Sequence, residues 1–191
     1  MNRGMPEWNK TLCEAVGRLQ IRYDQIGRKT GAPFLAIVYP LELEKQVLKE
    51  WDTLVKSLGE EYQVITLDVL KITHTITSQI GLDTILESMK DPEPGCDPER
   101  ELGNLWLSGL QEQIESAFRS RIGKKSVIVL KHLAALYPAA GPQILMQRLW
   151  DSSQNALEGP VVLLIPGTLI EPRRYSFLNL RDEFMYRGEI L

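Results

Sequence analysis

The 191-residue chain has 22 basic and 25 acidic side chains, a formal net charge of −3, and 43% hydrophobic residues. This composition is typical of a globular domain with its own core, and the small negative charge disfavours nonspecific binding of nucleic acid. Two cysteines are too few for a disulfide framework or a cysteine-built zinc site, which favours a reducing compartment. Because the sequence shows no leader-like segment and no apolar run of about 18 residues, we expect a soluble cytoplasmic protein without membrane contact.

The apolar pattern predicts one domain over residues 1–191, in which helices and strands alternate. The N-terminal residues 1–30 contain an amphipathic helical stripe, which Gly27 and Gly31 are expected to end. Apolar runs typical of strands buried on both faces lie at residues 34–39, 126–130 and 160–165. A further strand is predicted at residues 64–69 from Val64, Ile65, Leu67 and Val69. Helical patterns lie at residues 43–58, 72–89, 107–118 and 142–157, and a short edge strand is expected between 186 and 191.

Residues 91–104 form a polar stretch with three prolines, so we expect an exposed acidic loop there. A solvated surface is favoured over a binding site for this acidic run. Gly81 is expected to interrupt the helical pattern that precedes the loop.

Strands that alternate with helices require right-handed crossovers. The predicted fold is therefore a single three-layer α/β domain with a mostly parallel central sheet of about five strands. We expect the strand order 5-1-4-3-2, which is the connectivity of a P-loop ATPase without the P-loop. In such a sheet, ligands bind beyond the carboxyl ends of the strands.

Those strand ends lack the residues that phosphate and magnesium require. The turn after the first strand, residues 39–45, has no glycine, and Pro40 removes one N–H from it. Residues 27–31 resemble the end of a P-loop only superficially, because the upstream glycine is missing. The third strand ends in Lys131 and His132 instead of acids. We therefore predict no cofactor, no metal site, and neither binding nor hydrolysis of ATP.

No catalytic residue is predicted either. His132 and His74 have no cysteine, serine or second histidine at a catalytic spacing, so a structural or surface role is favoured over a general base. Cys13 has no charge pattern that would activate a thiol. Asp68 and Asp83 are isolated carboxylates, which are expected to cap helices.

One stretch of the chain carries basic residues without an intervening acid. It could contact phosphates, although a solvated helix end stabilised by the helix dipole is the favoured interpretation. We expect weak or no binding of DNA at physiological salt. The residues of this possible basic patch are Arg119, Arg121, Lys124, Lys125 and Lys131.

Five short motifs in the C-terminal half are distinctive. They are Ala135-Leu136-Tyr137-Pro138, Ile144-Leu145, the segment from Gly159 to Thr168, Phe177-Leu178-Asn179-Leu180, and Tyr186-Arg187. In these motifs the chain resembles the BrxB family of bacteriophage-exclusion (BREX) defence systems. It departs from the family pattern at Ile165, where an aromatic residue is more common, and at residues 139–143, which lack an arginine.

The resemblance implies a small cytoplasmic defence protein without catalytic activity, which associates with a PglZ-like protein and other BREX components. Tyr137-Pro138 and Pro166-Gly167 are expected to shape the loops where strands end. Tyr186 and Arg187 are candidates for partner contact, because tyrosine and arginine supply much of the energy of protein interfaces. Two alternatives stay open: a degenerate P-loop-like nucleotide-binding protein or regulator, and a weak nucleic-acid-binding subunit.

Overall fold

A computed structural model describes residues 6–26, 31–120, 123–152 and 157–191. The helices are α1 (Glu7–Arg22), α2 (Glu44–Leu54), α3 (Val69–Ile80), α4 (Leu82–Lys90), α5 (Pro98–Arg119) and α6 (Pro142–Ser152). The strands are β1 (Phe34–Tyr39), β2 (Tyr62–Asp68), β3 (Lys125–Lys131), β4 (Val161–Glu171), β5 (Arg174–Phe177), β6 (Arg181–Phe184) and β7 (Gly188–Ile190). Short 3-10 helices lie at Leu41–Leu43, Val55–Leu58 and Leu133–Leu136.

Five of the strands form a parallel sheet in the order β2-β3-β4-β1-β7. The predicted α/β fold is confirmed. When the five parallel strands are numbered along the chain, their order is 5-1-4-3-2 from the opposite edge, as predicted. β7 supplies the expected C-terminal edge strand, and it pairs with the first residues of β1, where Phe34 is opposite Gly188.

The sheet has a hydrophobic core on each face, which explains why its inner strands are continuously apolar. Alternate side chains such as Leu35 and Val162 pack towards α1 and α2. Their neighbours Phe34 and Leu163 pack towards the face that carries α3, α5 and α6. The domain therefore has the three layers predicted from the sequence.

β4 does not end at Pro166 and Gly167, so that prediction was wrong. Pro166 is still in register with Tyr39 of β1, and the next residue, Gly167, pairs with Phe177 of β5. The chain passes from the parallel sheet into an antiparallel arm made of the end of β4, β5 and β6. Glycine permits this pairing, because a Cβ at position 167 would lie 2.1 Å from the carbonyl oxygen of Ser176. We call residues 167–184 the C-terminal arm.

The exposed acidic loop is shorter than predicted, because α5 begins within it. The Asp97 side chain accepts a hydrogen bond from the Arg100 amide at 3.1 Å, and Pro98 occupies the first turn. Both residues favour a helix start at this point. The loop therefore covers residues 91–97, and residues 98–104 are helical.

Other predicted boundaries also shift. Gly81 separates α3 from α4, as expected, with a positive φ of 94° that suits glycine. α1 ends at Arg22, whose carbonyl accepts the amides of Gln25 and Ile26, so the helix does not continue to residue 26. The expected stop at Gly27 lies outside the described residues, as do residues 28–30 of the segment that resembles a P-loop. α6 is described as far as Ser152, and residues 153–156 of the predicted helix lie outside the described residues.

Candidate functional site

The carboxyl ends of β2 and β3 bring three functional side chains together. Asp68 and Lys131 are opposite each other in the strand register, and His132 directly follows. The Asp68 Oδ1 atom lies 2.9 Å from His132 Nδ1, and its Oδ2 atom lies 4.0 Å from Lys131 Nζ. Asp68 is therefore not isolated in the fold, although 64 residues separate it from His132.

The local backbone fixes both members of this pair. Asp68 ends β2 and caps α3, since its carboxylate accepts a hydrogen bond from the Lys71 amide at 3.4 Å, which confirms the predicted capping role. His132 has a left-handed φ of 58°, which turns the chain out of β3 into the 3-10 helix that follows. Such a conformation is uncommon for a residue other than glycine, although asparagine, aspartate and histidine adopt it more often than other residues do.

Charge and hydrogen bonding set the state of the Asp68 carboxyl group. Burial would raise its pKa, but the hydrogen bond and charge of His132, the Lys71 amide and the charge of Lys131 together hold the pKa below its usual value. An ionised carboxylate only accepts hydrogen bonds, so we infer that Nδ1 of His132 carries the proton. Nε2 is then the ring atom that is left to exchange a proton with a ligand.

A groove of about 530 Å³ lies between α2 and the end of β3. Four lysines and His132 line it, together with two acids and the neutral residues Leu48 and Thr53. We call it the α2 groove. Its charged lining consists of Lys45, Lys49, Lys56, Lys131, His132, Glu44 and Asp52.

A second cluster surrounds Glu183, whose side chain is buried although it belongs to the arm. Only 3% of Glu183 is exposed. Its carboxylate accepts hydrogen bonds from the Tyr175 hydroxyl and from the amide of Gln143 in α6, each at 2.9 Å. Arg181 completes the cluster with an ion pair of 3.0 Å. The arm is thus joined to the first turn of α6 through a buried, fully partnered carboxylate.

Arg181 connects the same cluster to the Tyr137-Pro138 motif. Its guanidinium donates to the carbonyl oxygens of Ala140 at 2.5 Å and of Pro138 at 3.4 Å, and it lies over the ring of Tyr137. The peptide bond between Tyr137 and Pro138 is cis. The motif does not follow β3 directly, as was expected, because the 3-10 helix Leu133–Leu136 intervenes. It instead contacts the arm.

Exposed apolar side chains lie on the arm and beside it, among polar residues such as Asp182. Leu180 in the turn between β5 and β6 is 67% exposed, and Phe184 is 56% exposed. The Phe184 amide donates to the Gln143 side chain at 2.8 Å, which brings the exposed Ile144 close to β6. We call this apolar surface the arm surface. It consists of Tyr137, Ile144, Leu180 and Phe184.

The Phe177-Leu178-Asn179-Leu180 motif is the turn between β5 and β6. Leu178 and Asn179 have positive φ values of 56° and 57°, and the Leu180 amide donates to the Phe177 carbonyl at 3.0 Å. The Asn179 side chain also accepts a hydrogen bond from the hydroxyl of Thr168 at 2.8 Å. The motif therefore fixes the tip of the arm.

Tyr186 and Arg187 pack within the domain. Tyr186 is half-buried against the core, and the Arg187 guanidinium lies 4.4 Å from the centroid of the Trp150 ring in α6. Arg187 remains exposed to solvent on its other side.

The basic stretch does not form one surface. Arg119 and Lys124 are exposed near the start of β3, and Lys125 pairs with Glu61 at 3.8 Å. Lys131 lies at the other end of the same strand, about 20 Å away at the usual rise per residue, where it faces Asp68. Arg121 lies outside the described residues.

The remaining candidates lie apart from both clusters. His74 is exposed on α3, and Asp83 is exposed in the first turn of α4. The Cys13 thiol lies 3.7 Å from the side-chain oxygen of Asn9. In the described part of the chain, no three histidine, cysteine or acidic side chains are grouped as metal ligands, and no helix is long and apolar enough to cross a membrane.

No protein-family model matches the chain, and no curated protein matches it. The relationship to BREX systems therefore stays a prediction from the motifs.

Sequence reasoning missed both the buried carboxylate and the α2 groove. The sequence does contain a pattern that indicates the arm around the buried carboxylate, because Tyr175 and Phe177 alternate with polar residues as in a half-buried strand. The α2 groove could have been expected from Lys45, Lys49 and Lys56, which recur at a helical spacing along one face. The pairing of Asp68 with His132 has no such local signal, since it arises from the parallel register of β2 and β3.

Proposed function

We propose that the protein is a cytoplasmic, non-catalytic interaction component of a BREX-type anti-phage defence complex, and that its arm surface binds a PglZ-like protein. The motif resemblance supports the choice of complex. The observation that carries the proposal is an anchored arm that exposes the apolar side chains of Leu180 and Phe184.

The exposed side chains support a role in binding. Leu180 and Phe184 leave more than half of their surface in water. Grouped exposed apolar residues on a soluble domain commonly mark a protein-binding surface. Among the described residues, β6 pairs only with β5, so its outer edge retains groups for hydrogen bonding with a partner. One of these groups, the Phe184 amide, is already bonded to Gln143.

The anchor explains how the arm can present this surface in one conformation. The arm's inner face carries Tyr175 and Phe177 into the core, and Glu183 is hydrogen bonded to α6. A surface that is already ordered loses less conformational entropy when a partner binds. The same anchor includes the carbonyl of Pro138, so the motif residues that suggest the family also support the arm.

Co-expression of this chain with one tagged PglZ-like protein encoded nearby tests the proposal. We expect the two proteins to co-elute in size-exclusion chromatography at micromolar concentration and low salt. Separate elution would contradict the choice of partner. Elution of this chain alone as a dimer through the arm surface would also contradict it, because the surface would then be occupied by a second copy.

A further inference from the structure

We propose that the α2 groove binds the phosphate group of a small phosphorylated ligand in the absence of a metal ion. The groove lies beyond the carboxyl ends of parallel strands, where sheets of this type bind ligands. Its volume of about 530 Å³ is in the usual range for sites that hold small molecules. This inference does not depend on the interaction role proposed above.

The wall of the groove carries more positive than negative side chains. Lys45, Lys49 and Lys56 recur along one face of α2 and the 3-10 helix after it, and none forms an ion pair with a described residue. Lys45 and Lys49 are four residues apart, a spacing at which like charges on a helix repel each other, while Asp52 lies between Lys49 and Lys56. Lysine ammonium groups are common donors to phosphate oxygens.

The end of β3 completes the site from the opposite side. Lys131 and His132 both reach the groove, while Asp68 is not part of the lining. Because Asp68 holds Nδ1 of His132, the imidazole ring is oriented before a ligand arrives. The whole chain has a net charge of −3, yet the four lysines outnumber the acids in this groove.

The lysines of the groove outnumber its acids. Glu44 accepts a hydrogen bond from the buried Tyr39 hydroxyl at 3.2 Å, which leaves Asp52 as the other lining carboxylate. A phosphomonoester or pyrophosphate group, which needs cations and hydrogen-bond donors, suits the four lysines of this lining.

Isothermal titration with inorganic pyrophosphate in EDTA, at low salt, tests this inference. We expect a dissociation constant of about 1 mM or tighter. The double variant Lys49→Ala/Lys131→Ala should bind at least about fivefold more weakly. The matched control, Lys10→Ala/Lys90→Ala, removes the same charge from exposed positions outside the groove and should bind as the wild type does.

Three outcomes would overturn the inference. They are the absence of binding by the wild type, unchanged affinity in the groove variant when its circular dichroism matches the wild type, and equal weakening in the control. The arm variant Leu180→Asp/Phe184→Asp separates this site from the proposed function. It should retain pyrophosphate binding even if it no longer binds a partner, and loss of that binding with the fold intact would contradict the location in the groove.

Discussion

The Arg181 guanidinium and the Glu183 carboxylate form a 3.0 Å ion pair on the inner side of β6, and this pair joins the arm to the start of α6. Glu183 is opposite Tyr175 in the strand register, so the Tyr175 hydroxyl reaches the same carboxylate. Burial and the adjacent charge of Glu183 raise the pKa of Tyr175, which therefore stays protonated as a hydrogen-bond donor. The position of the arm surface depends on these three side chains.

Glu183→Gln should destabilise the fold by about 2–3 kcal/mol, because it removes the charge that Arg181 and two further donors contact in a buried site. Urea denaturation measures the change. Asp182→Asn is the control, since Asp182 forms only an exposed ion pair with Arg174 and its loss should cost less than about 1 kcal/mol. Equal effects of the two substitutions would argue against the buried anchor.

Gly141→Ala should destabilise the protein by about 1–3 kcal/mol through overpacking. A Cβ at this position would lie 2.1 Å from both Arg181 Nη2 and Glu183 Oε1, so the ion pair must shift. Gly17→Ala in α1 is a matched control with no atom within 4 Å of the added carbon. It should raise the midpoint of thermal unfolding because alanine favours a helix by about 1 kcal/mol over glycine. If Gly141→Ala left the stability unchanged, the cluster around Glu183 would be loosely packed.

The depressed pKa of Asp68 predicts a specific dependence of stability on pH. Because this pKa is lower in the folded state than in the unfolded state, the ionised Asp68 carboxylate stabilises the fold at any pH above the usual pKa of aspartate. This stabilisation is lost as the pH falls through the lowered pKa of the folded state. Asp68→Asn retains a capping side chain but not the charge, and should cost about 1 kcal/mol at pH 7. Denaturation curves should show this difference shrinking between about pH 5 and pH 3. A difference that does not change over this range would contradict the lowered pKa.

The three inner strands of the parallel sheet, β1, β3 and β4, could be predicted from sequence because both of their faces are covered, which leaves a continuous apolar run. The edge strand β2 was predicted from apolar residues that alternate in part with polar ones. β5 and β6 were missed because each has four residues and carries polar side chains on its outer face. The start of α5 was missed although its signal was present, since Asp97 followed by Pro98 is a favourable helix start.

The side-chain contacts in the candidate sites were harder to predict from the sequence than the fold was. Asp68 was correctly expected to cap a helix, but its pairing with His132 joins residues from two strands through the parallel register. Glu183 was not considered because an acidic residue in a short polar segment is usually exposed. Its burial depends on donors from β5, β6 and α6 that meet only in the fold.

The chain should not bind ATP and magnesium more tightly than about 100 µM, and it should release no phosphate from ATP. The turn after β1 is a 3-10 helix preceded by Pro40, so it offers no glycine loop whose amides could surround a triphosphate. Calorimetry measures the binding of ATP with magnesium, and a phosphate-release assay measures its hydrolysis. Tighter binding that is lost when residues 39–45 are changed would contradict this prediction and favour a nucleotide-binding role.

The affinity of the purified PglZ-like protein for arm variants tests the central claim most directly. We expect the wild type to bind with a micromolar or tighter dissociation constant in calorimetry, and Leu180→Asp/Phe184→Asp to bind at least about tenfold more weakly. The control, Leu82→Asp/Leu86→Asp, changes two exposed leucines of α4 and should bind as the wild type does. An arm variant that remains folded and binds as tightly as the wild type would contradict the claim that this surface holds the partner.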